Sequence, residues 1–256
     1  MAVNRPVPRS AYYSGQGRLI IGERDPLTGK PLNLYQVGNC TALEITIATT
    51  ETDHKESMSG ERAIDFTVVS EKNATFSITC ESLSLKNLSL GFWGETDEEA
   101  AGTAADIPVA MAPGAYIALP HQNIDPDSFE LLDAADAPVS AALYDFDHEF
   151  GVIRFTDTAT VVAATSNYDY NGVSRLDALT QVAAPERFVR FEGINTINGE
   201  LVLVEIPRAQ FSPLQNLPLI NEEVASFTME GKILQDQLAV GAGDIRYYRQ
   251  TLIQPE

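Results

Sequence analysis

The chain has 256 residues, 44 % of them hydrophobic, which suits one large β domain or two small ones and excludes wholesale disorder. Its formal charge is −19, from 17 basic and 36 acidic residues, so it is a poor candidate for gripping a polyanion through Lys and Arg. No run approaches the roughly 18 apolar residues of a membrane span, and MAVNRPVPRSAYYSGQG lacks the apolar stretch of a signal peptide, so neither membrane insertion nor secretion is expected.

The acidity is uneven. Residues 95–157 hold fourteen Asp and Glu against Arg154 alone, a net of −13 out of −19. Such a stretch reads as a solvated acidic surface, or as one that repels a polyanion.

In chain order, GRLIIGER (17–24), DPLTGK and PLNLYQV (31–37) predict a hairpin turned at Pro26 and Gly29. CTALEITIAT (40–49) alternates as a strand. TTETDHKESMSGE (49–61) is polar and charged and predicts a long exposed loop. Strands follow over 63–70 and 74–82, with Glu71-Lys72-Asn73 as the turn between them. In the second, Phe76, Ile78 and Cys80 share a face. The period then changes. Leu85, Leu88 and Phe92 stand three and four apart and predict one amphipathic helix over about 84–93, with Ser84 as N-cap and Gly94 as its stop.

The acidic run from the helix to residue 106 reads as a linker. Residues 107–170 carry turn markers at close spacing, among them Pro113-Gly114, Asp125-Pro126 and Gly151, and predict short strands. RFVRFEGI (187–194) and ELVLVEIPR (200–208) flank Asn198-Gly199, a strong hairpin signal. A last strand is expected over 223–234. The expected organisation is an N-terminal arm over 1–16, one β domain over 17–238 with an acidic β-rich insertion at about 95–170, and a separate C-terminal extension over 239–256. The class is mainly β with one short helix.

Catalytic signatures fail in turn. Gly22 to Gly29-Lys30 is too long for a P-loop, and Pro31 stands where the magnesium-binding hydroxyl belongs. Ser14-Gly15-Gln16-Gly17 is no dinucleotide fingerprint, and no G-x-S-x-G elbow occurs. His54, His121 and His148 sit in three separate turn-like contexts, whereas metal ligands come in spaced sets. Cys40 and Cys80 fit a reducing compartment and read as small buried hydrophobes on strands. Asn39, Asn73 and Asn87 head N-x-Ser/Thr triplets, which mean little without a signal peptide.

The densest cluster is YDFDHEFGVIRF (144–155), where Asp145, Asp147 and Glu149 alternate with aromatics and His148. As a calcium loop starting at Asp145, its sixth and twelfth positions would be Phe150 and Thr156 instead of Gly and Glu. Carboxylates on one strand face share their hydration, so nothing separates an acid from a base. The same letters describe an acidic hairpin tip, with Asp147 starting a turn and Gly151 taking a positive φ. No catalytic, cofactor-binding or metal-binding residue is therefore assigned. A carboxylate-based metal-binding β-sandwich enzyme or module stands as the alternative from a different class.

Three segments also carry a resemblance. NATFSITCESLSLKNLSLGFWGE runs strand, Asn-Leu-rich helix, Gly stop. Residues 187–236 give a closing hairpin, a Phe-Ser-Pro link and a final FTMEGKIL strand. YDFDHEFGVIRF has the pattern Tyr-x-x-Asp-x-x-x-Gly-x-Ile. In this order they resemble the major tail tube proteins of long-tailed, siphovirus-type bacteriophages, over about residues 15–95 and 140–238.

The resemblance implies a β-sandwich or half-barrel with a flanking helix, its inner sheet completed by neighbouring subunits. It implies a non-enzymatic virion subunit, assembled in the host bacterial cytoplasm, six copies of which close a ring. Rings stack into a conduit for genome passage. The implied partners are further copies of the chain, a tape measure protein, a tail terminator and distal tail or baseplate proteins. DNA passes transiently without tight binding, and neither membrane nor cofactor is involved. The 49–61 loop becomes the candidate inter-ring contact, with Glu51, Asp53, His54, Lys55, Glu56, Glu61 and Arg62 as ion-pairing candidates. A contractile tail, a tailocin or a secretion-system tube is the alternative setting.

Overall fold

The structure, a computed structural model, describes residues 12–160 and 162–253. Strands hold 54 % of the chain and helix 5 %, so it is mainly β, with one α-helix among the described residues. It divides into two compact units, Met1–Glu95 with Asp177–Glu256, and Thr96–Leu176. The first unit opens with β1 (Gly15–Arg24), β2 (Pro31–Gly38), β3 (Cys40–Lys55), β4 (Ile64–Cys80) and α1 (Leu85–Phe92). There follow β5 (Glu95–Glu99), β6 (Gly102–Met111), β7 (Tyr116–Ala118), β8 (Glu130–Asp133), β9 (Tyr144–Asp147), β10 (Val152–Phe155), β11 (Val162–Tyr170) and β12 (Val173–Asp177). The chain then returns to the first unit with β13 (Glu186–Asn195), β14 (Leu201–Phe211), β15 (Phe227–Ile233) and β16 (Arg249–Ile253).

The first unit is built on one antiparallel sheet in the order β2-β1-β13-β14-β15-β4-β3. Alternation along each strand turns one face inward. Ile21, Val189 and Ile206 stand side by side across β1, β13 and β14, all buried. On the other half, Ile45, Phe76, Gly231 and Phe211 form a row across β3, β4, β15 and β14. A Cβ on Gly231 would stand 2.6 Å from the Phe76 ring, so glycine is what lets that ring reach Phe211, edge-on at 5.0 Å.

β14 pairs with β13 along one side. Its other side is shared, Leu201–Glu205 with β16 and Ala209–Phe211 with β15. The change falls at Pro207 and Arg208, which together oppose Phe188 as a bulge. Proline has no N–H to give a ladder, and a bulge is where a strand tolerates it. The extra residue also shifts the inward set from Val202, Val204 and Ile206 to Ala209 and Phe211.

β2 and β3 lie at opposite ends of the strand order, yet only Asn39 separates them, so the sheet curls until its outer strands meet there. The corner is tied. Asn39 N donates to Ser82 Oγ at 3.1 Å, and its side chain donates to the Glu81 carboxylate at 2.5 Å. The buried Asn87 amide of α1 donates to Val37 O at 2.8 Å and Ser82 O at 2.9 Å, which makes it a structural anchor and no glycan acceptor. α1 is capped at Ser84, whose hydroxyl accepts from Asn87 N. It ends one residue before the expected glycine, at Trp93, which takes the left-handed conformation at φ 50°.

The second unit has its own core. Val109, Met111, Leu131, Ala164 and Tyr168 from the sheet β6-β11-β8 pack with Ile153 and Phe155 from the sheet β7-β10-β9. The insertion expected over 95–170 thus runs on to residue 176. β5 and β12 pair with each other, so the chain enters and leaves this unit through one two-stranded ladder.

Several expectations change. The acidic run to residue 106 is no linker. Glu95–Glu99 is a strand, and Gly102–Met111 is a second one that buries Ala104, Val109 and Met111 while its other face stays wet. The strands expected at 63–70 and 74–82 are one strand, in which Glu71, Lys72 and Asn73 pair with Thr50, Thr49 and Ala48. The C-terminal extension is partly strand, because β16 lies on β14. Of the N-terminal arm, residues 1–11 lie outside the described residues. Residues 12–16 are tied down, since Asn195 donates to Tyr12 O and accepts from Ser14 N.

Truncating Phe76 to Ala removes a buried ring that packs on Phe211. The expected loss is about 3–5 kcal/mol of unfolding free energy, read from equilibrium urea denaturation.

Candidate functional site

The segment 49–61 is a two-stranded ribbon. β15 covers β4 only from Thr75 to Cys80. Beyond that, Ile47–Lys55 of β3 and Ile64–Ala74 of β4 pair only with each other. The nine residues Ile47–Lys55, at about 3.3 Å each, carry the ribbon about 30 Å beyond the sheet. A polar run that is wet on both faces has no apolar alternation, which is why it reads as loop in the sequence.

Glu56 closes the tip. Its backbone N donates to Ala63 O at 2.8 Å, and its carboxylate accepts from Met58 N at 2.7 Å and Ser59 N at 2.8 Å. The Ser59 hydroxyl adds a third hydrogen bond. These donors, the Ser59 hydroxyl first, hold the Glu56 carboxyl down at about 2 against an ordinary 4.5. Gly60 and Arg62 take positive φ and complete the turn.

The other interface candidates divide into two groups. Asp53 accepts from Thr67 Oγ1 at 2.8 Å, and His54 Nδ1 meets Asp65 Oδ1 at 2.7 Å, so both are engaged within the ribbon. The His54 hydrogen bond pulls the Asp65 carboxyl below its usual range, and the imidazole stacks on Phe66 at 4.5 Å. His54 therefore belongs to a strand and to no turn. Glu51, Lys55, Glu61 and Arg62 are exposed and make no ion pair among the described residues.

Sequence reasoning missed what lies beside them. Ile64, Phe66 and Val68 alternate along β4 and are 56, 51 and 50 % exposed, and Met58 at the tip is 95 % exposed. AIDFTVVS looks like a strand with one face in a core, but here that face lies on a ribbon that no other element of the first unit's sheet pairs. The missing signal was the register, which only the β3 partner reveals.

YDFDHEFGVIRF is a hairpin, with β9 and β10 paired from Asp147↔Val152 to Tyr144↔Phe155. Asp147 accepts from Phe150 N at 3.1 Å, and Gly151 has φ 64°. Asp145, Asp147 and Glu149 are exposed, and no group of three metal-ligating side chains occurs among the described residues.

One cluster was hidden by sequence distance. Glu99 is paired with Arg175 and lies 3.7 Å from His121 Nε2. His121 stacks on Tyr170 at 3.9 Å and meets the Tyr168 hydroxyl at 3.1 Å. Burial raises the Tyr168 pKa above its usual value. The network joins β5, β11 and β12 to the 120s loop.

The curled sheet encloses an open cleft of about 1060 Å³, lined among others by Leu19, Cys40, Ile45, Phe191 and Val204. Among the described residues, no helix is long and apolar enough to cross a membrane.

Residues 12–251 match the profile of a family described as "Protein of unknown function UCP028589". The chain belongs to that family. The matched stretch spans the ribbon, the acidic hairpin and both units. No curated protein matches the chain.

Substituting Glu56 by Gln should speed amide exchange at Met58 and Ser59 while leaving Ile78 in the sheet unchanged. Because the folded pKa is depressed, the contribution of Glu56 is full above pH ~4.5 and fades as the pH falls through about 2. NMR titration of the Met58 and Ser59 amides should therefore show a midpoint near pH 2.

Proposed function

We propose that this chain is the structural subunit of a tube, of the kind that forms the tails of long-tailed bacteriophages, in which copies close into six-membered rings and the rings stack. The observation that carries the reading is the ribbon. It projects about 30 Å at the strand rise of 3.3 Å per residue, with an apolar row along one strand. A two-stranded ribbon is marginal alone in water, and such a row is a hazard for a monomer unless a neighbour covers it.

Two further features support it. The outer strands β2 and β3 leave the first unit's sheet open along most of its height, which suits completion by a neighbouring copy in a ring. The charge of −19 leaves no basic field to hold DNA by counterion release, so DNA would slide. On this reading the exposed Lys55, Glu61 and Arg62 meet the adjacent ring, and Ile64, Phe66 and Val68 supply the buried area.

Concentrated protein should form rings or tubes in negative-stain electron microscopy. A strictly monomeric species at every concentration and salt level would overturn the reading. Replacing residues 51–70 by Asn-Gly, which joins Thr50 to Glu71 through a tight turn, should leave a folded subunit that no longer forms tubes.

A further inference from the structure

Cys40 and Cys80 stand directly opposite each other in the β3–β4 ladder, at the end of the ladder away from the ribbon. Their Sγ atoms are 2.9 Å apart, and both are free thiols. Opposed residues of an antiparallel pair hold their Cα atoms about 4.5–5.5 Å apart, inside the roughly 4.4–6.8 Å that a disulfide spans. Bond formation therefore needs no change of register.

The two thiols differ in access. Cys80 is fully buried, with β3 on one side and β15 on the other. Cys40 is half-buried and lines the open cleft, where a small molecule can reach it. They differ in acidity as well. The Cys80 thiol, hydrogen-bonded to Cys40, lowers the Cys40 pKa, while that same bond and burial raise the Cys80 pKa.

We propose that Cys40 and Cys80 form a thiol–disulfide exchange site for a small-molecule disulfide of the glutathione type, with Cys40 as attacking thiol and Cys80 as resolving thiol. The Cys40 thiolate attacks one sulfur of the small disulfide, bonds to it and expels a thiolate that takes up a proton. Cys80 then loses its proton, attacks Cys40 Sγ and expels the second small thiolate. One small disulfide is reduced to two thiols, and the cysteine pair is oxidised to a cross-strand disulfide. The new bond closes a loop that contains the whole ribbon and cross-links β3 to β4 within the sheet, beside the bulge between Cys40 and Ala42.

The test is intact-mass spectrometry of the full chain incubated with oxidised glutathione under native conditions. Wild type should lose the mass of two hydrogens and keep no glutathione, and peptide mapping should find Cys40 joined to Cys80. It should also melt at a higher temperature than the reduced protein. A Cys80→Ala variant should retain one glutathione on Cys40, and a Cys40→Ala variant should stay unmodified. Wild type that stays reduced, that keeps glutathione without closing, or that links only between chains would overturn the proposal. So would a Cys40→Ala variant modified as fast as Cys80→Ala. Where a variant fails to fold, the wild-type mass and peptide map decide alone.

Discussion

β14 is the strand on which the hydrogen bonding of the first unit depends. It is paired along the whole of one side by β13, and its other side serves two strands that never meet on it. Pro207 makes that division possible. It removes one donor at the point where a ladder partner would otherwise be needed, and the bulge it shares with Arg208 re-aims the following side chains. Ala209 and Phe211 then face the second half of the sheet, where Phe76 and Gly231 wait for them. Without that shift of parity, the rows of Ile206 and Phe211 would lie on opposite faces.

The charges on the outward face follow from the same alternation. Arg18, Glu192, Arg190 and Glu205 form a chain of ion pairs across β1, β13 and β14. Arg190 first, and then Arg18, hold the Glu192 carboxyl below its usual value. Exposed pairs of this kind contribute little each, about 0–1 kcal/mol, so the sheet is held by its inner rows and its ladder. The paired Arg24 and Asp236 are more enclosed and tie β1 to the segment after β15.

Elements whose burial alternates were legible in the sequence. GRLIIGER, the Asn198-Gly199 hairpin and the Ser84-capped helix all show their period or their turn chemistry locally. The ribbon was not legible, because residues 49–55 and 69–73 are wet on both faces and follow no period. The acidic strand β5 hid for the same reason, since all but Glu99 of ETDEE is exposed. At the candidate site, Asp147 and Gly151 declared a turn through residue type alone. The cysteine pair and the Glu99–His121–Tyr168 network could not be seen at all, because the first depends on the register of β3 against β4 and the second on a loop folding against strands distant in the chain.

The single-residue link at Asn39 has a consequence for how the chain folds. β1–β2 and β3–β4 are local hairpins and need only short loops to close. The strands that join them into one sheet arrive after the whole second unit. Arg18 and Glu192 are 174 positions apart, and Thr79 and Thr228 are 149 apart. Such pairings close large loops and place the chain among slow folders of high contact order. Until β13, β14 and β15 are made, the inner edges of β1 and β4 stay open, and the nascent chain carries two hairpins joined by one asparagine, each with an unpaired edge.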